Sequence, residues 1–123
     1  MGKYKLKFDL QQNGTGNWYY AEYSTFRVLS EANNYKLQVA GYSGNASRDA
    51  FGTVHHNGQQ FSTFDRDNDG QSSGNCAAKY GGFWWGSCGW CYVNGARSTG
   101  HFYWWNLPGD RHLQLSRMWL ECK

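Results

Sequence analysis

Asp65-Arg66-Asp67-Asn68-Asp69-Gly70 sets three carboxylates at alternate positions ahead of a glycine. Such a run suits a hard cation, because Ca²⁺ takes six to eight oxygens from carboxylates and backbone carbonyls on a tightly curved chain. Asp, Asn and Gly also favour solvated turns, so the spacing alone is compatible with either reading. Cys88-Gly89-Trp90-Cys91 is a C-x-x-C, the spacing of redox dithiols and of half a zinc site. Redox chemistry would want a strand-to-helix context and zinc a second close pair, whereas Cys76 and Cys122 are scattered. His55, His56, His101 and His112 have no metal-ligand spacing, and His55-His56 reads as a solvated loop.

The acidic run matches an EF-hand loop at Asp65, Asp67, Asp69 and Gly70, but its twelfth position is Cys76 instead of a bidentate Glu. Phe61-Ser62-Thr63-Phe64 before it looks extended, and Gln71-Ser72-Ser73-Gly74-Asn75 after it does not open a helix. A calcium loop of another fold is therefore expected. No G-x-S-x-G, phosphate loop or dinucleotide fingerprint occurs, so enzyme activity is not expected.

The elements that must carry this loop are strands. Lys3 to Leu10 alternates strictly, with Tyr4, Leu6, Phe8 and Leu10 on one face and Lys3, Lys5, Lys7 and Asp9 on the other. Trp18 to Leu29 reads as one or two further strands, and Tyr35 to Ala40 alternates again after the polar break at 30–34. His112 to Leu120 returns as a late strand. Between Gly41 and Gly109 the periodicity dissolves into Gly, Ser, Asn and aromatics, with short helical turns expected at Ser47 to Phe51 and Cys76 to Tyr80. The expected class is α+β: a mainly antiparallel twisted sheet from 1–45 and 110–123, and a loop-rich calcium and ligand region over 46–109, in one domain.

The composition sharpens this. Aromatics make up 19% of the 123 residues while Ile is absent, so the core must be built from rings whose N–H and O–H groups need partners. A net charge of +3 without a basic block gives no footprint for nucleic acid, and no apolar run suits membrane insertion. Four cysteines in a small, Gly-rich chain favour disulfides and a secreted protein. The sequons at Asn13 and Asn45 are consistent with export.

Tyr20-Ala21-Glu22-Tyr23, Phe26-Arg27-Val28, Gly41-Tyr42-Ser43-Gly44, Asn57-Gly58, Phe61 to Asp69, Asn75-Cys76-Ala77, Gly82-Phe83-Trp84-Trp85, Cys88 and Asn94-Gly95 follow one another in an order that resembles the fibrinogen-like C-terminal domain. That is the family of fibrinogen, ficolins, tachylectins, angiopoietins and tenascins. The resemblance implies a Ca²⁺ held by the side chains of Asp67 and Asp69 and the carbonyls of Gln71 and Ser73, with Asp65 supporting the loop. The second carbonyl falls on Ser73 or on Gly74. It also implies a Cys76–Cys88 disulfide and leaves Cys91 and Cys122 to form a second, lineage-specific one. The family's usual first subdomain is absent.

For the ficolin and tachylectin type, the resemblance implies an acetyl pocket beside the metal. Here it would comprise Trp85 as an aromatic wall and backbone donors around Cys88 and Gly89, with a cis Ser87-Cys88 peptide aiming N–H groups inward. The segment after Gly95 is shortened, leaving Trp90, Tyr103 or Trp104 to close the cleft. The function so implied is a lectin for acetylated glycans, as in innate-immune pattern recognition. The alternative is a protein-protein or matrix-interaction module, since angiopoietins and tenascins share the domain. An oligomer is compatible with either, because one shallow sugar site gains from avidity.

Overall fold

The computed structural model describes residues 4–53, 55–71, 74–96 and 99–122. Strand β1 (Tyr4–Gln12) buries Leu6, Phe8 and Leu10 and turns Lys5, Lys7 and Asp9 outward, as its alternation requires. Strand β2 (Trp18–Val28) is one strand whose inward residues change phase between Tyr23 and Phe26. A register shift against Tyr4 and Leu6 accounts for that phase change, which reads in sequence as a possible break.

After a 3-10 turn (Glu31–Asn33), Asn34 and Tyr35 adopt left-handed backbone at φ 51° and 55°. The chain therefore enters β3 (Leu37–Gly44) two residues later than its alternation suggests, and Tyr35 is left exposed. Gly41 lies so close to Ser24 on β2 that a Cβ there would collide with the serine side chain, and its φ of 75° is in the left-handed region. Ser47 to Phe51 forms bends instead of the expected helical turn. Ser47 has φ 73°, and the Asp49 Oδ1 accepts from the Gly52 N–H and the Tyr23 hydroxyl, an Asx-type turn that replaces helix bonds.

The loop-rich middle contains β4 (Phe61–Ser62), α1 (Cys76–Tyr80), β5 (Phe83–Trp84), β6 (Cys91–Ala96) and β7 (His101–Trp104). Strands β4 and β5 pair, as do β6 and β7, so short ladders exist where the sequence shows no periodicity. The chain then enters β8 (Leu113–Cys122), which pairs antiparallel with β1 and completes a four-stranded sheet in the order β3-β2-β1-β8. Among the described residues no helix is long and apolar enough to cross a membrane.

Rings fill the space between this sheet and the middle segment. Phe51 is fully buried, with its ring centroid 5.1 to 6.5 Å from those of Phe8, Tyr23, Phe26, His56, Phe83 and Trp84. The indole N–H groups of Trp84, Trp85 and Trp104 donate to the carbonyls of Tyr35, Gly81 and Arg48, each at 2.8 Å. Each of these indoles is thus packed among other rings and fixed by its polar edge.

The Cys76–Cys88 disulfide is present, with Cα atoms 5.6 Å apart. The second pairing does not form, because Cys91 is a buried free thiol and Cys122 an exposed one. Strand β8 touches β6 where the Ser116 hydroxyl donates to the Val93 carbonyl, and Cys122 lies six residues farther along the strand. At about 3.3 Å per residue that is roughly 20 Å, well beyond the separation a disulfide bridges.

Candidate functional site: the acidic loop and the His56-centred segment

The acidic loop starts as a tight turn. Thr63 and Arg66 exchange backbone bonds of 3.0 and 3.1 Å, which throws Phe64 at the tip into solvent, 74% exposed. The Thr63 hydroxyl donates to Asp65 Oδ1 at 2.7 Å, which ties Asp65 back to the turn. Arg66 turns away from the carboxylates and donates to Asn34 Oδ1 at 2.8 Å. Asp67 Oδ1 accepts the Asp69 N–H at 3.2 Å. Asp69 accepts twice, from the Gln71 N–H at 2.9 Å and from the Cys76 N–H at 2.8 Å, so it closes the loop onto the disulfide.

Two close approaches fix the loop against the segment before Cys88. The Gly70 N–H donates to the Gly86 carbonyl, and the Gly86 N–H is shared between the carbonyls of His55 and Cys88. Asn75 caps α1 by accepting the Ala78 N–H and also donates to the Phe64 carbonyl. Asn75→Ala should lose about 1 kcal/mol by the removal of that cap, measurable in urea unfolding.

These residues fit a hard cation. Among the described residues Asp65, Asp67 and Asp69 have no Lys, Arg or His within ion-pair distance. Among the described residues the buried Gln71 Oε1 beside Gly74 has no hydrogen-bond partner, an orphaned oxygen acceptor at the same loop. No three His, Cys, Asp or Glu side chains among the described residues converge as a metal cluster. The implied ligand set needs only two carboxylates and otherwise backbone carbonyls, and Ser73 lies outside the described residues.

A buried histidine stands against the segment in which the acetyl pocket is expected. His56 is fully buried instead of solvated. Its Nδ1 lies 2.9 Å from the Trp84 carbonyl, and its Nε2 accepts the N–H groups of Trp90 and Cys91, both at 3.0 Å. The imidazole thus engages the two N–H groups that follow the expected donors at Cys88 and Gly89. A Cβ on Gly89 would run into the same ring, which explains glycine at that position. The Ser87-Cys88 peptide is trans, since no described peptide bond is cis.

The expected walls are in the core. Trp85 is only 2% exposed, Trp104 is fully buried and Tyr103 nearly so. The space bordered by Tyr80, Phe83, Trp85 and Tyr92 is closed by ring contacts of 5.2 to 5.7 Å between Trp85 and its neighbours. Burial, with the Tyr103 and Tyr80 phenols nearby, pushes the Tyr92 hydroxyl up, and burial pushes the Cys91 thiol well up, so neither is an ionised reactive group.

Of the expected residues, Trp90 alone keeps an accessible aromatic role. It stacks on Trp105 at 5.7 Å and 19°, with Arg48 over Trp90 and Arg111 over both Trp105 and Tyr103. This cation and ring ladder stands beside an open cleft of about 630 Å³ lined by Ser47 and by Asn106 to His112. Trp105, Arg111 and the cleft were missed in sequence; the Trp-rich stretch next to Arg was the only available signal.

The pattern of "Fibrinogen beta and gamma chains, C-terminal globular domain" matches residues 1–119. The chain belongs to that family. It is 40% identical over 117 residues to Fibrinogen-like protein A of Apostichopus parvimensis, covering 89% of this chain and 40% of the relative. It is 47% identical over 108 residues to the human fibrinogen alpha chain, 80% of this chain and 12% of that one. The fibrinogen-like globe domain of human ANGPTL2 superposes with a TM-score of 0.84 at 35% identity, over 98% of this chain and 58% of that chain. Lamprey fibrin D-dimer, complexed with the peptide ligand Gly-His-Arg-Pro-amide, superposes at 0.80 and 28% identity over 97% of this chain and 45% of that one. The chain thus spans well under two-thirds of these relatives. They include fibrinogen chains, tenascin and angiopoietin-related proteins, and do not single out the ficolin and tachylectin type. The fibrinogen-like globe is a non-enzymatic recognition domain.

Proposed function

We propose that this chain is a secreted, calcium-stabilised recognition domain whose ligand is a peptide or protein segment bound along the cleft over Asn106 to His112, beside the Trp90–Trp105 stack. The observation that carries the reading is the filled interior around Trp85, set against the open cleft whose lining carries Asp110 and Arg111, with Arg111 reaching over the Trp105 ring beside it. A glycan acetyl group needs an aromatic wall and free N–H donors. Trp85 and the Trp90 and Cys91 N–H groups are already engaged. A peptide needs an apolar shelf with charges of both signs, which Trp90, Trp105, Asp110 and Arg111 offer. The lamprey relative's peptide complex supports the same class of ligand.

Calcium enters as a structural ion. Asp67 and Asp69, with the carbonyls of Gln71 and Ser73, would hold it, and its double charge would offset three carboxylates that have no ion-pair partner among the described residues. Domains of this family often bind calcium. Secretion is supported by the Cys76–Cys88 disulfide, which persists in oxidising compartments.

The test is tryptophan fluorescence with two probes, Gly-His-Arg-Pro-amide and N-acetylglucosamine, each titrated in calcium. The expected result is a saturable change with the peptide that weakens at least about tenfold in Arg111→Ala, a loss of one charged contact. Saturation by the sugar, unaffected by Arg111→Ala, would instead establish the lectin reading for acetylated glycans.

A further inference from the structure

Strand β8 forms the outer edge of the four-stranded sheet, and its second half is exposed on both faces. Met118 and Leu120 pair with Phe8 and Leu6 of β1, so they continue the apolar face that is fully buried one strand away. They are nevertheless 42% and 53% exposed. On the opposite face Trp119 is 53% exposed, flanked by Arg117 and Glu121. Among the described residues, strands β6 and β7 meet the start of β8 through the Tyr103–His112 bridge and the Ser116–Val93 bond. Among the described residues no strand pairs with the outer side of β8 from Arg117 onward, so the edge presents free backbone groups together with apolar side chains, the combination that promotes strand addition.

We infer that this edge is a dimer interface, with β8 of a second copy adding antiparallel to form one eight-stranded sheet. The occupant follows from charge and register. A two-fold axis perpendicular to the sheet keeps the apolar faces continuous, and directly opposed residues then share a face. Centring the axis on Trp119 sets Arg117 opposite the partner's Glu121 twice, Met118 opposite the partner's Leu120 twice, and Trp119 opposite the partner's Trp119. Each pair matches in charge or apolarity, the complementarity that stabilises cross-strand neighbours. Sliding by two residues one way opposes Arg117 to Trp119 and Leu115 to Glu121. Sliding the other way opposes Trp119 to Glu121. The matched register is therefore specific to this sequence pairing with itself.

The existing contacts prepare the outer face. Arg117 lies over the Trp18 ring at 4.8 Å, with its Nε 3.8 Å from Asp9, and the Trp119 indole N–H donates to the same carboxylate. Both side chains are thus oriented before association, which lowers the entropy lost on binding.

The experiment is sedimentation of the 123-residue chain over a dilution series, with Arg117→Glu, Glu121→Arg and the double swap. The expected result is a concentration-dependent dimer that each single reversal weakens by at least about tenfold, since two symmetric pairs become like-charged. The double swap restores it, and mixing the two single variants yields a heterodimer in which every pair is opposite in charge. Arg117→Glu sets a carboxylate near Asp9, so circular dichroism confirms folding and Glu121→Arg, at an exposed position, carries the test if that variant unfolds. A monomer at every concentration overturns the inference. A dimer indifferent to both reversals also overturns it, by locating the contact elsewhere.

Discussion

Asp69→Ala should lose stability in two separable ways, while Asp67→Ala loses only one of them. With a chelator present, Asp69→Ala leaves the N–H groups of Gln71 and Cys76 without their acceptor in a part-buried loop. At about 1 to 2 kcal/mol per orphaned donor, the cost is roughly 2 to 4 kcal/mol. Asp67 accepts a single long bond from the Asp69 N–H at an exposed site, so its removal in chelator should change little. With calcium about a hundredfold above its dissociation constant, the wild type gains about 2.7 kcal/mol, because the ion binds the folded loop alone. Both variants should forfeit that gain. Thermal unfolding with calcium and with chelator separates the effects. A calcium-dependent rise in midpoint that survives in both variants would remove the metal from this loop.

The course of the acidic loop is local in sequence, whereas that of its neighbour is not. Three carboxylates within five residues are a local pattern, and the Thr63–Asp65 bond and the disulfide beside it lie in the same stretch of chain. The strands were legible for the same reason: Leu6, Phe8 and Leu10 alternate within their own segment. What failed was long-range. Trp85 has the sequence context of a pocket wall, but its burial depends on Tyr80, Phe83, Tyr92 and His56 converging on it. No spacing within residues 80–92 reveals that convergence. His55-His56 looks like a polar loop because the three groups that bond the His56 ring, on Trp84, Trp90 and Cys91, lie 28 to 35 residues away in sequence. Likewise β6 and β7 are held by pairing and by packed rings instead of alternation, so periodicity could not find them.

Acid should weaken the fold through that same histidine. Burial among Phe51, Phe83 and Trp85 pushes the His56 pKa down from 6.5 to about 4, the bond to the Trp84 carbonyl opposes the shift, and His55 adds to it. The folded protein keeps the ring neutral, with Nδ1 donating to Trp84 and Nε2 accepting from Trp90 and Cys91. In the unfolded chain the imidazole protonates near its ordinary value. The unfolded state therefore binds more protons between those two values, and stability rises with pH across that interval. The contribution is complete above about pH 6.5 and is lost as pH falls toward 4, to the extent of about 3 kcal/mol. His56→Phe keeps a ring of similar size but cannot bond any of the three backbone groups. At neutral pH it should cost at least about 3 kcal/mol, from three buried groups left unpaired. It should also flatten the pH dependence between 6.5 and 4, because the titrating group is gone. Urea unfolding at several pH values across this window checks both. A wild-type stability that stays level through the window would mean that the imidazole is not held neutral, and the account of Gly89 and the engaged Trp90 and Cys91 N–H groups would fall with it.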